Sequence, residues 1–391
     1  QPSFFEGISP LVAAFASDPA MKSAWKSWLS WHVITGSASY LNSEIVNENF
    51  AFYGTTLQGT PQREPRWKRG VGLTEGTVGD EVGKAYAAKY FPPETKAAMD
   101  VLVKNVLAAM GRRIDNLAWM QPETKVKARA KLANFTTKIG YPDRWKDYST
   151  LKIVRGDVFG NDLRSNQWGF DDNMSKLGQP IRRWEWGMLP QTVNAYANFG
   201  MNEVVFPAAI LQPPFFDVES EDAVNYGRIG MVIGHEFTHG FDDMGSKFAA
   251  DGSFTNWWTE EDRKAFEQRT ALLGETFAGF CPMEGNCVNA ELTMGENIAD
   301  LGGLTMAYYA YKRTDEFKRN EVRDGFTPAQ RFFIAYGQLW KIKYTDAEMK
   351  NRLATDPHSP GMYRVNGPLK NCPEFFEAFG ITEGKNMRNS K

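Results

Sequence analysis

The chain has 391 residues, more than one small core accommodates, so its length predicts two domains or a two-lobed architecture. It is 42% hydrophobic and 24% charged, an ordinary globular composition, and 45 basic against 47 acidic side chains leave a formal net charge of -2. That balance gives no electrostatic ground for a nucleic-acid or anionic-membrane partner, and no apolar run approaches the length of a transmembrane span.

The first third reads as helices. Trp25, Trp28, Leu29 and His32 recur at helical spacing, as do Val101, Val103, Val106 and Leu107. Pro92-Pro93-Glu94 starts a helix, with proline at an early position and an acid in the first turn. From Asp115 to Leu132 the many Lys, Arg, Glu and Ala residues predict exposed helix on either side of a restart at Pro122. Gly140-Tyr141-Pro142-Asp143 is a turn signal, and the Asp-, Asn- and Gly-rich stretch to Gly187 reads as winding between lobes. Thr192–Tyr196 and Glu203–Phe206 flank Asn198-Phe199-Gly200 as two short strands around a turn. Helices are then predicted over about Asp222–Gly240 and about Thr293–Lys312. Thr259 followed by Asp262 resembles a capping box, and Thr327-Pro328 starts a further helix.

Three cysteines exclude a scaffold built from disulfides. Cys281 and Cys287 flank a turn-forming segment. In an oxidising compartment they would close a small loop, and otherwise they are two partly buried thiols; the sequence leaves both open. The N-terminus shows no basic stretch followed by an apolar one, and the chain opens as if part way through a longer protein, so a processed or truncated product is expected.

The chemistry gathers in the second half. His235 and His239 are four apart on a predicted helix, so both imidazoles leave one face within reach of a single tetrahedral Zn²⁺. Glu236 points to the adjacent side, where a carboxylate reaches a metal-bound water without ligating the metal, as a general base does. This pentapeptide also arises by chance on amphipathic helices. Two further signals count against chance: three of the four histidines (His235, His239, His358) fall in segments dense with other candidates, and Glu296 with Asp300 supplies a second pair four apart. Glu296 is the candidate third ligand. Asp300 is placed to accept a hydrogen bond from a ligand imidazole, and Asp242, just beyond the helix end, is a second candidate for that role.

Several longer segments then point to one family: Val193–Tyr196, Val205–Ala208, Ile210–Phe216, Ile233–Asp243, Gly295–Gly303 and Asp356–Gly361, with Trp119-Met120, Thr124-Lys125 and Ile139–Pro142 upstream. In this order they resemble the neprilysin-like zinc metallopeptidases over nearly the whole chain, as a bacterial oligopeptidase O-type member. The resemblance implies one zinc ion held by His235, His239 and Glu296, with Glu236 as the base. It implies that Asp300 orients His235, that His358 stabilises the oxyanion and that Arg364 binds a substrate carbonyl. It further implies that Asn194 and Ala195 hold the substrate backbone as an added strand, and that Ile210, Phe215, Met231, Val232 and Trp340 form the pocket for the residue after the cut.

The fold expected is mainly α with a small β-sheet: a partial helical lid lobe with linkers over 1–180, then a thermolysin-like catalytic domain over 181–391. The expected reaction is endoproteolysis of oligopeptides on the N-terminal side of bulky hydrophobic residues. Against the family pattern, the upstream helical lid segment and the extreme C-terminus are missing, so an N-terminal segment of the same protein is an expected partner. Family habit places the protein outside the cytoplasm. Two rivals stand beside this reading: an aminopeptidase, whose usual Gly-x-Met-Glu-Asn signature is absent, and a non-catalytic peptide-binding protein.

Overall fold

The computed structural model describes residues 2–389 and is mainly helical, with one small three-stranded sheet among those residues. Its first helices are α1 (Pro2–Ser17), α2 (Pro19–Ser37), α3 (Ser43–Phe50), α4 (Arg66–Tyr90), α5 (Pro93–Asp115) and α6 (Pro122–Ala133). Strand β1 (Thr136–Gly140), helix α7 (Val158–Met174) and strands β2 (Tyr196–Asn198) and β3 (Glu203–Pro207) follow. The remainder carries α8 (Asp222–Asn225), α9 (Met231–His239), α10 (Glu260–Ala278), α11 (Met294–Tyr311) and α12 (Asp315–Arg319). It ends with α13 (Pro328–Leu339), α14 (Asp346–Thr355), α15 (Gly361–Lys370) and α16 (Pro373–Phe379). No helix among the described residues is long and apolar enough to cross a membrane.

The chain divides into two units. One takes the residues through Leu73 together with Ser149–Leu177, and the other takes Thr74–Tyr148 and the chain from Gly178 onward. This does not follow a division at residue 180. Residues 74–148 join the later unit because α5 packs on α11 and β1 pairs in register with β3, Thr136 opposite Glu203 through Gly140 opposite Pro207.

In the first unit α2 is capped by Asp18, whose carboxylate accepts from Ala20 N at 2.8 Å. Asn42 caps α3 in the same way through Ile45 N at 3.2 Å. None of α1, α2 or α7 has a fully buried residue.

The second unit holds the large core. β3 is buried at every position and sits between β1, parallel to it, and β2, antiparallel to it. α5 contributes Met99, Leu102, Val103, Val106 and Met110 to that core at helical spacing. Thr327 and Gln330 form the reciprocal capping box that opens α13.

Four local expectations change. The helix read on both sides of Pro122 exists only on its C-terminal side, since α5 ends at Asp115 and α6 begins at Pro122. The stretch up to Gly187 is not all linker: it contains α7, capped by Asp157 through Gly160 N at 3.0 Å. Of the first predicted strand only Tyr196 lies in β2, and the pairing runs on to Asn198. Thr259 does cap α10, but Asp262 turns away from that cap, and both its oxygens accept from Gln121 N at 3.1 Å.

Candidate metal centre and active-site cavity

The predicted helix through His239 is built in three pieces, α8, a π-helical stretch (Tyr226–Gly230) and α9. Wide turns of this kind reorient the side chains that follow and are frequent at functional sites. On α9 the residues Met231–Thr238 are all buried, and Thr238 returns its hydroxyl to Gly234 O at 2.7 Å. α11 packs along α9 and brings Glu296 and Asp300 from its first turns beside the two histidines.

Each imidazole is fixed from behind. His235 Nδ1 faces Asp300 Oδ1 at 2.8 Å and His239 Nδ1 faces Asp242 Oδ2 at 2.7 Å. Asp300 is fully buried. Burial alone would raise its carboxyl pKa, but the Arg364 guanidinium outweighs that and holds it below the usual range. Arg364 donates from Nε to Asp300 Oδ2 at 2.8 Å and from Nη2 to Asp300 Oδ1 at 2.7 Å, a bidentate pair.

Carboxylates that accept at both Nδ1 positions leave each Nε2 with its lone pair facing inward. The two Nε2 atoms lie 2.9 Å apart, and Glu296 Oε2 lies 3.1 Å from that of His235. Glu296 Oε2 is buried and has no aligned hydrogen bond. His235, His239 and Glu296 thus present one acceptor each, all within 4.8 Å of one another. Three converging acceptors repel unless a cation sits among them, and two imidazoles with a carboxylate are a zinc donor set. The residues present fit the metal.

The electrostatics agree. Burial opposes charge on His235 and His239, yet the surrounding carboxylates overcome it and raise both pKa values, that of His239 well above the usual imidazole value. Burial likewise opposes charge on Glu296, and the imidazoles of His235, His239 and His358 reverse that, leaving it far below the carboxylate range. The site favours positive charge at its centre. Glu236 is buried, and desolvation raises its carboxyl pKa more than the nearby His235, His239 and Arg364 charges lower it, a direction suited to a base that takes up a proton.

A cavity of about 680 Å³ opens on this centre. His235, Glu236, His239, Glu296, His358 and Arg364 line it together with Asn194, Ala195, Ile210, Phe215, Met231, Val232 and Trp340. The residues singled out in the sequence therefore line one cavity, apart from Asp242 and Asp300, which stand behind the histidines. His358 Nε2 lies 3.1 Å from Glu296 Oε2, and its Nδ1 is held by Asp356 Oδ1 at 2.9 Å. Arg364 packs its guanidinium 4.1 Å from the centre of the Trp340 ring. Asn194 is exposed, with its side-chain oxygen accepting from Ala195 N at 2.9 Å.

Sequence reasoning missed several contributors. Asp356 orients His358. Asn297 accepts from Ser359 Oγ at 2.8 Å in a buried bond that ties the His358 loop to α11. Tyr344, Arg352 and Phe199 also line the cavity. Asp356 and Asn297 stood beside candidate residues in the sequence, and that adjacency was the one available signal.

Comparison with known proteins gives a consistent picture. Residues 194–391 match a model described as Peptidase family M13, and residues 1–142 match a second model of the same description. The chain is 33% identical over 396 residues to an endothelin-converting enzyme homolog of Locusta migratoria, covering 99% of this chain and 54% of that protein. It is 32% identical over 404 residues to human neprilysin, covering 100% of this chain and 53% of that protein. Among solved structures, the inhibitor-bound zinc metalloprotease of Mycobacterium tuberculosis superposes with a TM-score of 0.91 at 45% identity, over 97% of this chain and 58% of that one. PepO of Lactobacillus rhamnosis superposes with a TM-score of 0.87 at 32% identity, over 95% of this chain and 58% of that one. The chain spans about half the length of the curated relatives it matches.

Proposed function

Since the chain belongs to peptidase family M13, we propose that it is the catalytic portion of a zinc endopeptidase that cuts oligopeptides on the N-terminal side of bulky hydrophobic residues. One observation carries the reading: three inward-facing acceptors on His235, His239 and Glu296 share a cavity with the buried carboxylate of Glu236.

A zinc ion held by His235, His239 and Glu296 would polarise the scissile carbonyl and lower the pKa of the attacking water. Glu236 takes the proton from that water and delivers it to the leaving amine. His358, steered by Asp356, donates from Nε2 to the developing oxyanion. Arg364 keeps Asp300 ionised through Nε and Nη2, and its Nη1, which neither bond uses, is left as a donor for a substrate carbonyl. Asn194 and Ala195, just before β2, offer backbone groups to an extended peptide, which favours recognition by conformation over sequence. Ile210, Phe215, Met231 and Val232 supply an apolar wall for the residue after the cut.

A location outside the cytoplasm is part of the proposal. Cys281 and Cys287 are joined in a disulfide across a six-residue separation, and such bonds persist in oxidising compartments.

The test is hydrolysis of a quenched, N-acetylated hydrophobic peptide with zinc quantified, beside Glu236→Gln. Turnover by the zinc-loaded parent, lost in the variant, supports the reading. A zinc-loaded parent that is inert favours a peptide-binding role, and cleavage confined to peptides with a free α-amine favours an aminopeptidase.

A further inference from the structure

Lys131 is a lysine buried to 1% exposure on a helix whose other basic residues face solvent. Its ammonium donates to Gly245 O at 2.7 Å and to Phe248 O at 2.6 Å. It lies 5.5 Å from the ring centre of Phe241 and 5.8 Å from that of Trp257. Its own carbonyl accepts from Asn202 Nδ2 at 3.1 Å, which anchors the end of α6 to the turn before β3.

The turn Lys131 grips is the one that follows the metal helix. Gly245 is pressed against the end of α9 so closely that a Cβ there would sit 1.8 Å from His239 O. In that turn Met244 N and Gly245 N donate to Asp242 Oδ1 at 2.8 and 2.6 Å, while Asp242 Oδ2 holds His239 Nδ1 at 2.7 Å. A continuous path runs from the ammonium through the two peptide groups that flank the Gly245 Cα to Asp242 and on to a metal ligand.

We infer that Lys131 is a positioning residue of the metal centre, clamping the 245–248 turn so that its amides hold Asp242 against His239. A neutral apolar side chain at 131 would leave Gly245 O and Phe248 O with Phe248 N and Trp257 Nε1 as their respective donors. Trp257, Trp258 Nε1 on Ser246 O and Arg263 Nη1 on Ser246 Oγ hold the turn from its downstream side. None of them ties it to α6, so the turn would lose its hold on that helix while the local fold persists. Because Asp242 acts through the imidazole it orients, the effect reaches zinc affinity at one remove. Groups that orient a ligand histidine are worth about 10–100-fold in affinity, so Lys131→Met is expected to weaken zinc binding by about tenfold.

The inference rests on the metal-centre reading, and the experiment separates their failures. Zinc affinity of the full 391-residue chain is measured by competition with a chromogenic chelator for the parent, Lys131→Met, Asp242→Asn and the double variant, with melting recorded with and without zinc. A parent that binds no zinc removes the metal-centre reading itself. If Lys131 positions Asp242, Lys131→Met binds about tenfold more weakly, shows a smaller zinc-induced rise in Tm, and adds little loss on top of Asp242→Asn. A lower Tm with parent affinity, or fully additive losses, would overturn the inference and leave Lys131 as core. Should Lys131→Met not fold, Lys131→Gln, uncharged and one atom too short to span both carbonyls, takes its place in the same cycle. Parent affinity there, additive with Asp242→Asn, would equally overturn it.

Discussion

Gly234 and Gly303 lie back to back: a Cβ on Gly234 would stand 2.8 Å from Gly303 Cα, and one on Gly303 would stand 2.5 Å from His235 N and 2.6 Å from Met231 O. All the atoms met are backbone, so nothing there rotates away. This contact brings α9 and α11 together and thereby sets the distance from the two histidines to Glu296 and Asp300. Gly303→Ala should therefore prise the metal-binding helices apart, costing roughly 1–3 kcal/mol of stability and weakening zinc binding together with it. Urea unfolding and chelator competition on the same protein check this. A variant with parent midpoint and parent affinity would show that the helices have slack the contact does not suggest.

Glu236 and His358 line the same cavity but belong to different steps, so their variants should fail differently. Glu236→Gln should lower kcat by about 10²–10⁴-fold with bound zinc unchanged, since its carboxylate is outside the ligand triad. His358→Ala should raise the barrier by roughly 2.7–4 kcal/mol as a lost oxyanion donor does, with KM altered far less than kcat. Steady-state kinetics with metal analysis decides both. Zinc lost together with Glu236 would mean that this carboxylate is a ligand.

A buried ion pair away from the centre gives a test of stability alone. Lys138 Nζ lies 2.7 Å from Glu203 Oε2 between the neighbouring strands β1 and β3, with the two side chains 12% and 2% exposed. Removing the lysine strands a carboxylate inside the protein. Lys138→Met should cost about 3–5 kcal/mol, and pairing it with Glu203→Leu should recover most of that loss. Denaturant unfolding of the single and double variants reads both values. A single-variant loss below about 1 kcal/mol, the worth of a surface pair, would mean water reaches Glu203.

These contrasts also show what was readable in the chain. His235 with His239 and Glu296 with Asp300 were legible because helical spacing alone puts each pair on one face. Thr259 and Thr327 were legible as caps because capping is local chemistry. β1 was not: Thr136-Thr137-Lys138 is polar and short, and its extended state depends on β3, more than sixty residues away in the chain. α7 lacks a buried stripe, so no apolar periodicity announces it. Lys131 sits among Lys127, Arg129 and Ala130 in what reads as a solvated helix face, and only the tertiary arrival of the 245–248 turn makes it interior.

That burial gives Lys131 a pH signature. Desolvation pushes its ammonium down to about 8, against a partial upward pull from the Asp242 carboxylate, while in the unfolded chain it keeps the ordinary value near 10.5. Below pH 8 both states hold the proton, and the folded state bears the full cost of a desolvated charge. Between about 8 and 10.5 the unfolded state binds more protons than the folded one, so this group adds stability as pH rises. Lys131→Met has no such group, so the parent should gain stability on the variant across that window and stay parallel to it between pH 6 and about 7. The quantity to follow is the difference in unfolding free energy between the two proteins, because the buried tyrosines titrate alike in both and cancel. Curves that remain parallel through pH 10 would show that the amine keeps its proton, held by Asp242 and the two carbonyls more strongly than burial opposes it.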